Sequence, residues 1–146
     1  MKRRRNLLRT YMHFIWTTQD RLPLVTEDIE RQLYRYIVTV CEDMKCDVLA
    51  IGGMSDHVHL FLLLSSTVTL AEIMKNVKAG SSRLISDELK PEEWFAWRKN
   101  YGAFSISASH KKRVIAYILN QKQHHAEGTL IASLEQDGEE YESEDE

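Results

Sequence analysis

Two histidines one residue apart, His57 and His59, stand at the mouth of an apolar run in DHVHLFLLL, residues 56–64. A buried imidazole must find partners for its ring nitrogens, whereas a leucine or valine in the same place simply packs. If the run is a strand, alternation sends His57, His59, Phe61 and Leu63 to one face and Val58, Leu60, Leu62 and Leu64 to the other. Side chains two apart on one strand face project in parallel, a spacing that suits two ligands of one metal ion. A pair of hydrogen-bonded or exposed histidines has the same pattern, so the pair alone leaves both readings open.

A second set of chemically able residues lies in HKKRVIAYILNQKQHH, residues 110–125. At about 100° per residue, Val114, Ile115 and Ile118 share one side of a helix, while Tyr117, Gln121 and His124 fall within roughly 60° of one another on a neighbouring side, with His110 there too. If this helix crosses the histidine face, Gln121 offers an amide oxygen as a third ligand and Tyr117, one turn earlier, presents a phenol. An ordinary amphipathic helix with a half-buried tyrosine fits the spacing as well.

The elements that would position these residues follow from periodicity. Residues 8–18 alternate, with Met12, Phe14 and Trp16 on one side and Tyr11, His13 and Ile15 on the other, which reads as a strand. Thr26 can cap a helix whose buried stripe is Ile29, Leu33, Tyr36, Ile37, Val40, Cys41 and Met44. CDVLAIGGMSDHVHLFLLL reads as two strands flanking a Gly-Gly turn, and Thr69 with Glu72 as a capping box opening a second helix with Leu70, Ile73, Met74 and Val77 inward. FAWRKNYGAFSIS supplies a fourth strand, and the tyrosine-bearing segment a final helix. The expected fold is α+β: a βαββαβ, ferredoxin-like or RRM-like four-stranded antiparallel sheet with two helices on one face and an extra C-terminal helix carrying the tyrosine.

Several of these segments in order resemble one family. TTQDRLP, AIGG, DHVHLFLLL, KAGSSRLI, YGAFSIS and YILNQKQHH are similar to the IS200/IS605-type single-tyrosine (HUH) transposases, with their His-hydrophobic-His motif and Tyr-x-x-x-Gln helix. The resemblance runs from about Tyr11 to His125. It implies that His57, His59 and Gln121 are metal ligands and Tyr117 the nucleophile, and that the chain, as a homodimer with Mg²⁺ or Mn²⁺, acts on single-stranded DNA bearing hairpins. Two imidazoles and an amide oxygen by themselves favour Mn²⁺ over Mg²⁺ and leave Zn²⁺, Co²⁺ and Ni²⁺ open. Asp56 is a candidate to orient a histidine or a plain turn acid, and His124 a candidate phosphate or proton contact or a polar helix-end residue.

Composition fits such a partner. Eight of the 22 acidic residues lie in the last twelve positions, so residues 1–134 hold all 19 Lys and Arg against 14 acidic groups, about +5. Residues 1–134 are expected to form one domain and 135–146 an acidic, disordered tail. Candidate phosphate contacts are the KRRR at 2–5, Arg9, Arg21, Lys75, Lys78, Arg83, Arg98, Lys99, Lys111, Lys112 and Arg113, with Trp94, Trp97 and Tyr101 as stacking platforms or core residues. KAGSSR, 78–83, reads as a helix break or a close approach to a DNA hairpin. No apolar run is long enough to span a membrane and no signal-peptide pattern is present, so a cytoplasmic protein is expected. Cys41 and Cys46 lack a second pair, which argues for buried thiols over a disulfide framework or a Cys-ligated zinc site. Besides the transposase reading, the sequence leaves open a catalytically inactive or domesticated single-stranded nucleic-acid-binding protein, and a metal-dependent phosphoesterase.

Overall fold

The computed structural model describes residues 7–136; the basic run at 2–5 and the acidic residues from 137 onward lie outside the described residues. The chain runs β1 (Tyr11–Thr17), α1 (Glu27–Asp43), β2 (Asp47–Met54), β3 (His57–Leu63), α2 (Leu70–Leu84), β4 (Gly102–Ile106), α3 (Lys111–Leu119) and α4 (Gln121–Glu127). The four strands form one antiparallel sheet in the order β2-β3-β1-β4, the α+β plan expected from the sequence. β1 and β3 are central, so both of their faces are covered, and a one-residue slip would drive the row that holds His13, His57 and His59 into the apolar core.

Met12, Phe14, Trp16, Val58, Leu60 and Leu62 meet Ile29, Leu33, Ile37 and Cys41 of α1 and Ile73, Met74 and Val77 of α2. This is the larger core. Burying a Leu or Phe side chain there contributes about 1.5–3 kcal/mol each, before the cost of ordering it. Thr69 caps α2 by accepting the Glu72 N–H at 3.1 Å. Thr26 precedes α1 without capping it through its side chain; its hydroxyl donates to the Asp28 carboxylate instead.

Four expectations need correction. The hairpin between β2 and β3 turns at Ser55 and Asp56, while Gly52 and Gly53 belong to β2. Their lack of a Cβ serves close approach: one added at Gly52 would lie 2.3 Å from the Ile118 carbonyl oxygen, and one at Gly53 2.2 Å from that of His57. KAGSSR does not break its helix; it is the last part of α2, where Gly80 admits the Tyr36 ring and Ser81 accepts the Trp97 indole N–H at 2.9 Å. The fourth strand is shorter than FAWRKNYGAFSIS, because Trp97 is drawn into the core beside Trp16 and only bridges to Thr18. The single final helix is two, meeting at Asn120, whose φ/ψ of −107/26 departs from helical values and whose side-chain amide donates to the Ala116 carbonyl at 2.7 Å.

α3 lies on the face opposite α1 and α2. Val114, Tyr117 and Ile118 pack there on Tyr11, Ala50 and Phe61. α4 ends at Gly128, in the left-handed region at φ 68, and the chain turns back so that residues 129–136 cross the same face. Leu134 joins this second core, and Gly102 makes room for the return, since a Cβ there would lie 2.2 Å from the Gln136 carbonyl oxygen.

Candidate active site

Strand pairing fixes the site's floor. His59 faces Ile15 on one neighbour and Gly52 on the other, and His57 faces Thr17 and Met54. Both imidazoles project from a central strand toward α3 and α4, as alternation requires, and both are buried. Tyr117, near the end of α3, and Gln121, opening α4, come down over them. The bend at Asn120 separates these two residues, and each is only 2% exposed.

His57 Nδ1 lies 2.7 Å from Asp56 Oδ1, and this hydrogen bond holds the Asp56 carboxyl below its ordinary value. An ionised carboxylate only accepts, so the imidazole proton sits on Nδ1 and the Nε2 lone pair of a neutral His57 points inward. It points at Gln121 Oε1, 3.1 Å away. Gln121 is oriented in turn, because its amide N–H donates to Glu135 Oε1 at 3.2 Å. Two lone pairs thus face one another, an arrangement completed by a cation between them.

Glu135 is the other centre of the site. Its Oε2 is 3.1 Å from His59 Nε2 and 3.7 Å from His57 Nε2, and its Oε1 accepts the Tyr117 hydroxyl. Burial raises its pKa, but the hydrogen bond to His59 and the neighbouring histidine charges outweigh that and bring it down to about 2. Burial, then the Glu135 contact, pushes the Tyr117 phenol up to about 12. That phenol also accepts the Ile131 N–H at 3.1 Å, so the returning segment is pinned to the tyrosine. Ligand atoms of His57, His59 and Glu135 lie within 4.8 Å of one another. With the Gln121 oxygen beside them, the donor set is two imidazoles, one amide and one carboxylate, which fits a divalent ion of the Mn²⁺ or Mg²⁺ type.

The sequence candidates distribute unevenly. His57, His59, Gln121, Tyr117 and Asp56 are brought together. His124 is half-buried, stacked on the Tyr117 ring at 4.7 Å and bonded to Thr129 Oγ1 at 2.8 Å. Its neighbour His125 was not singled out by sequence, yet its Nε2 is 3.1 Å from Gln121 Oε1 and its ring 5.0 Å from that of His57. His110 is exposed and bonded to Ser107, away from this cluster. Lys78 is half-buried and donates to the carbonyls of Arg98, Lys99 and Asn100, which ties down a loop and leaves its ammonium committed. Arg21 lies 3.6 Å from Asp56, Lys111 rests over the Tyr11 ring, and Arg9 and Lys112 are exposed; Arg83 is exposed on α2, in the opposite layer. Trp97 and Tyr101 pack in the large core, and Trp94 is exposed.

Two more residues escaped the sequence reading. Glu135 was counted with the acidic tail, although the apolar Leu130, Ile131 and Leu134 just before it signal ordered chain. His13 lies in the middle of β1, fully buried, and its position in an apolar strand is as unexpected as that of the His57 and His59 pair.

The sequence profile of the family described as "Transposase IS200 like" matches residues 6–121. The chain belongs to this family. A relative, the ISDra2 transposase TnpA of Deinococcus radiodurans, is 23% identical over 114 residues, covering 75% of this chain and 81% of that protein. Two solved structures share the fold. One is a transposase chain from Deinococcus radiodurans R1, with TM-score 0.63 and 23% identity over 83% of this chain and 98% of that one. The other is a REP-associated tyrosine transposase bound to a REP hairpin, with TM-score 0.63 and 14% identity over 89% of this chain and 75% of that one. In this IS200-like transposase, the matched region ends at Gln121, so Glu135 lies beyond the residues by which the family is recognised. Among the described residues no helix is long and apolar enough to cross a membrane.

Proposed function

We propose that this IS200-like transposase cuts and rejoins single-stranded DNA at hairpin-bearing ends through a 5′-phosphotyrosine on Tyr117, acting in the cytoplasm as a homodimer with Mg²⁺ or Mn²⁺. The observation that carries the reading is the convergence, within one chain, of Tyr117 and Gln121 on His57 and His59. His57, His59 and Gln121 would hold the ion, and Glu135 Oε2 stands beside them as a fourth donor. The bound ion would neutralise charge on the phosphate and on the departing oxygen.

Everything else falls to the chain's own residues. A phenol held at about 12 is a poor nucleophile until its proton is withdrawn, and Glu135 Oε1 already accepts that proton's hydrogen bond. In the cutting step the Tyr117 oxygen bonds to phosphorus, the P–O3′ bond breaks, and the released 3′ oxygen takes up a proton to become a hydroxyl. The reverse attack by that hydroxyl, or by one from another strand, restores the phosphodiester and the phenol without an external energy source. His124, stacked on the Tyr117 ring, holds the ring's plane. Residues 129–136 cover Tyr117, and the Ile131 N–H donates to its oxygen, so the segment that carries Glu135 also shields the phenol. Arg9, Arg21, Lys111 and Lys112 are our candidates for phosphate contact, with Lys78 removed from that set and Arg83 the weakest placed. The hairpin-bound REP-associated transposase supports the choice of substrate.

The test is a covalent adduct. Wild type incubated with Mn²⁺ and a labelled single-stranded element end should form a denaturation-resistant protein–DNA band, and Tyr117→Phe should form none. Adduct surviving in Tyr117→Phe would remove the nucleophile assignment, hydrolysis without adduct would favour a phosphoesterase, and salt-sensitive binding without cleavage in any divalent metal would favour a binding protein. Light scattering of the protein with and without DNA tests the dimer.

A further inference from the structure

His13 lies beside His59, one strand over, on the site face. Its Nε2 is 2.8 Å from His59 Nδ1, and the two rings lie edge to edge in nearly one plane, centroids 5.1 Å apart and planes at 4°. His13 is fully buried, and its Nδ1 has no hydrogen-bond partner. Building on the metal-site reading above, we infer that His13 is a positioning residue that accepts the Nδ1 proton of His59 and so fixes His59 in the tautomer whose Nε2 lone pair faces the ion.

The argument is a count of protons. A neutral imidazole carries one, and His59 has a partner at each nitrogen. With the Glu135 carboxylate at Nε2, the proton belongs on Nε2; His59 Nδ1 then accepts, and His13 Nε2–H donates. With a cation at Nε2, the proton must sit on Nδ1, the bond to His13 reverses, and His13 carries its own proton on Nδ1. The pair holds two protons in both arrangements, so the change is an inversion of tautomers. Only a group able to both donate and accept permits it, and the unpartnered Nδ1 leaves His13 free to take either form. His57 contrasts with this: Asp56 only accepts, so His57 is held permanently as a ligand. The site would thus pair one fixed imidazole with one whose readiness depends on His13 and on where Glu135 sits.

Mn²⁺ affinity read by electron paramagnetic resonance, together with ¹⁵N-histidine NMR, tests this. His13→Phe, which fills the space without an acceptor, should weaken Mn²⁺ binding by roughly 10–100-fold, while His13→Gln, whose amide oxygen accepts, should stay within a few-fold of wild type. In wild type, addition of diamagnetic Zn²⁺ should move the His59 proton from Nε2 to Nδ1 and, with it, the His13 proton from Nε2 to Nδ1. Wild-type Mn²⁺ affinity in a folded His13→Phe, or a His13 proton that remains on Nε2 when Zn²⁺ is bound to His59, overturns the inference; the NMR reading of His13 decides it even if His13→Phe does not fold. Failure of the metal-site reading is recognisable separately, as wild type that binds no Mn²⁺ or His59→Ala that binds it as well as wild type, and the inference falls with it.

Discussion

The two faces of one sheet are built by the same strands and obey different rules. From β1 and β3, Met12, Phe14, Trp16, Val58, Leu60 and Leu62 point toward α1 and α2, where they need only shape and volume from their neighbours. The alternate residues of those strands include His13, Thr17, His57 and His59, which are as deeply buried yet need partners of definite polarity. The histidines find them in a connected chain running from Asp56 through His57, Gln121 and Glu135 to Tyr117 and, by way of His59, to His13. Two points of the network stay open without a cation, the facing lone pairs of His57 and Gln121 and the Nδ1 of His13, and elsewhere the loss of a donor or acceptor leaves a buried partner unpaired. The lesson is a division of labour by parity: one face holds the strands rigid so that the other can afford chemistry.

The sharpest break of that comparison is a change that destroys one face's work and spares the other's. Tyr117→Phe should abolish the covalent adduct at a cost of only about 1 kcal/mol in unfolding, since the ring still packs on the second core while Glu135 and the Ile131 N–H lose one hydrogen bond each. Leu60→Ala, one residue from His59 but on the opposite face, should do the reverse: a loss of about 2–5 kcal/mol in denaturant unfolding, with adduct yield per folded molecule preserved. A folded Leu60→Ala that lost adduct per molecule would show the faces to be coupled. Gly52→Ala should fall between them. Its added methyl meets the Ile118 carbonyl, part of α3's backbone, so the helix carrying Tyr117 must rise, at about 1–3 kcal/mol by analogy with overpacking, with a partial loss of adduct.

Parity is also why so much was legible. The element order, the two helices over the apolar face and the sharing of one helix side by Tyr117 and Gln121 follow from period-2 and period-3.6 patterns that local sequence carries, while the meeting of that side with the histidine pair is what the family resemblance implies. What escaped depends on contacts between distant residues. Gly52 and Gly53 looked like a turn because a glycine pair usually is one; their use as a seat for α3 appears only once α3 is in place. Lys78 looked like any basic residue until the carbonyls of residues 98–100 came within reach. Trp97 was read as part of a long strand, but Ser81, sixteen residues earlier, supplies the partner that takes its indole out of it. Glu135 was lost to composition, since it opens a stretch in which acidic residues dominate, and only a chain reversal at Gly128 brings it to the histidines.

The smallest expected effect separates the faces by pH. Glu135 has its folded pKa at about 2 against an ordinary 4.5, so the fold binds fewer protons there than the unfolded chain. Its contribution is therefore present above pH 4.5 and is lost as pH falls through about 2. Cys41, in the apolar face's core, is pushed the other way by burial, from 9.0 up to about 12, so its contribution is complete below pH 9 and fades as pH rises through 12. In protein kept metal-free with chelator, Glu135→Gln should lower stability by about 1–2 kcal/mol at neutral pH, a figure kept below the full shift because the carboxylate is 18% exposed. The deficit should shrink toward zero as pH approaches 2, and the alkaline limb should be unchanged; Cys41→Ala should leave the acid limb unchanged while adding a deletion cost at every pH. Chemical unfolding from about pH 2 to about pH 12 measures these curves. A Glu135→Gln deficit that does not shrink in acid would mean that Glu135 holds the site face through packing, as Leu60 holds its own, and the contrast between the faces would then rest on the histidines alone.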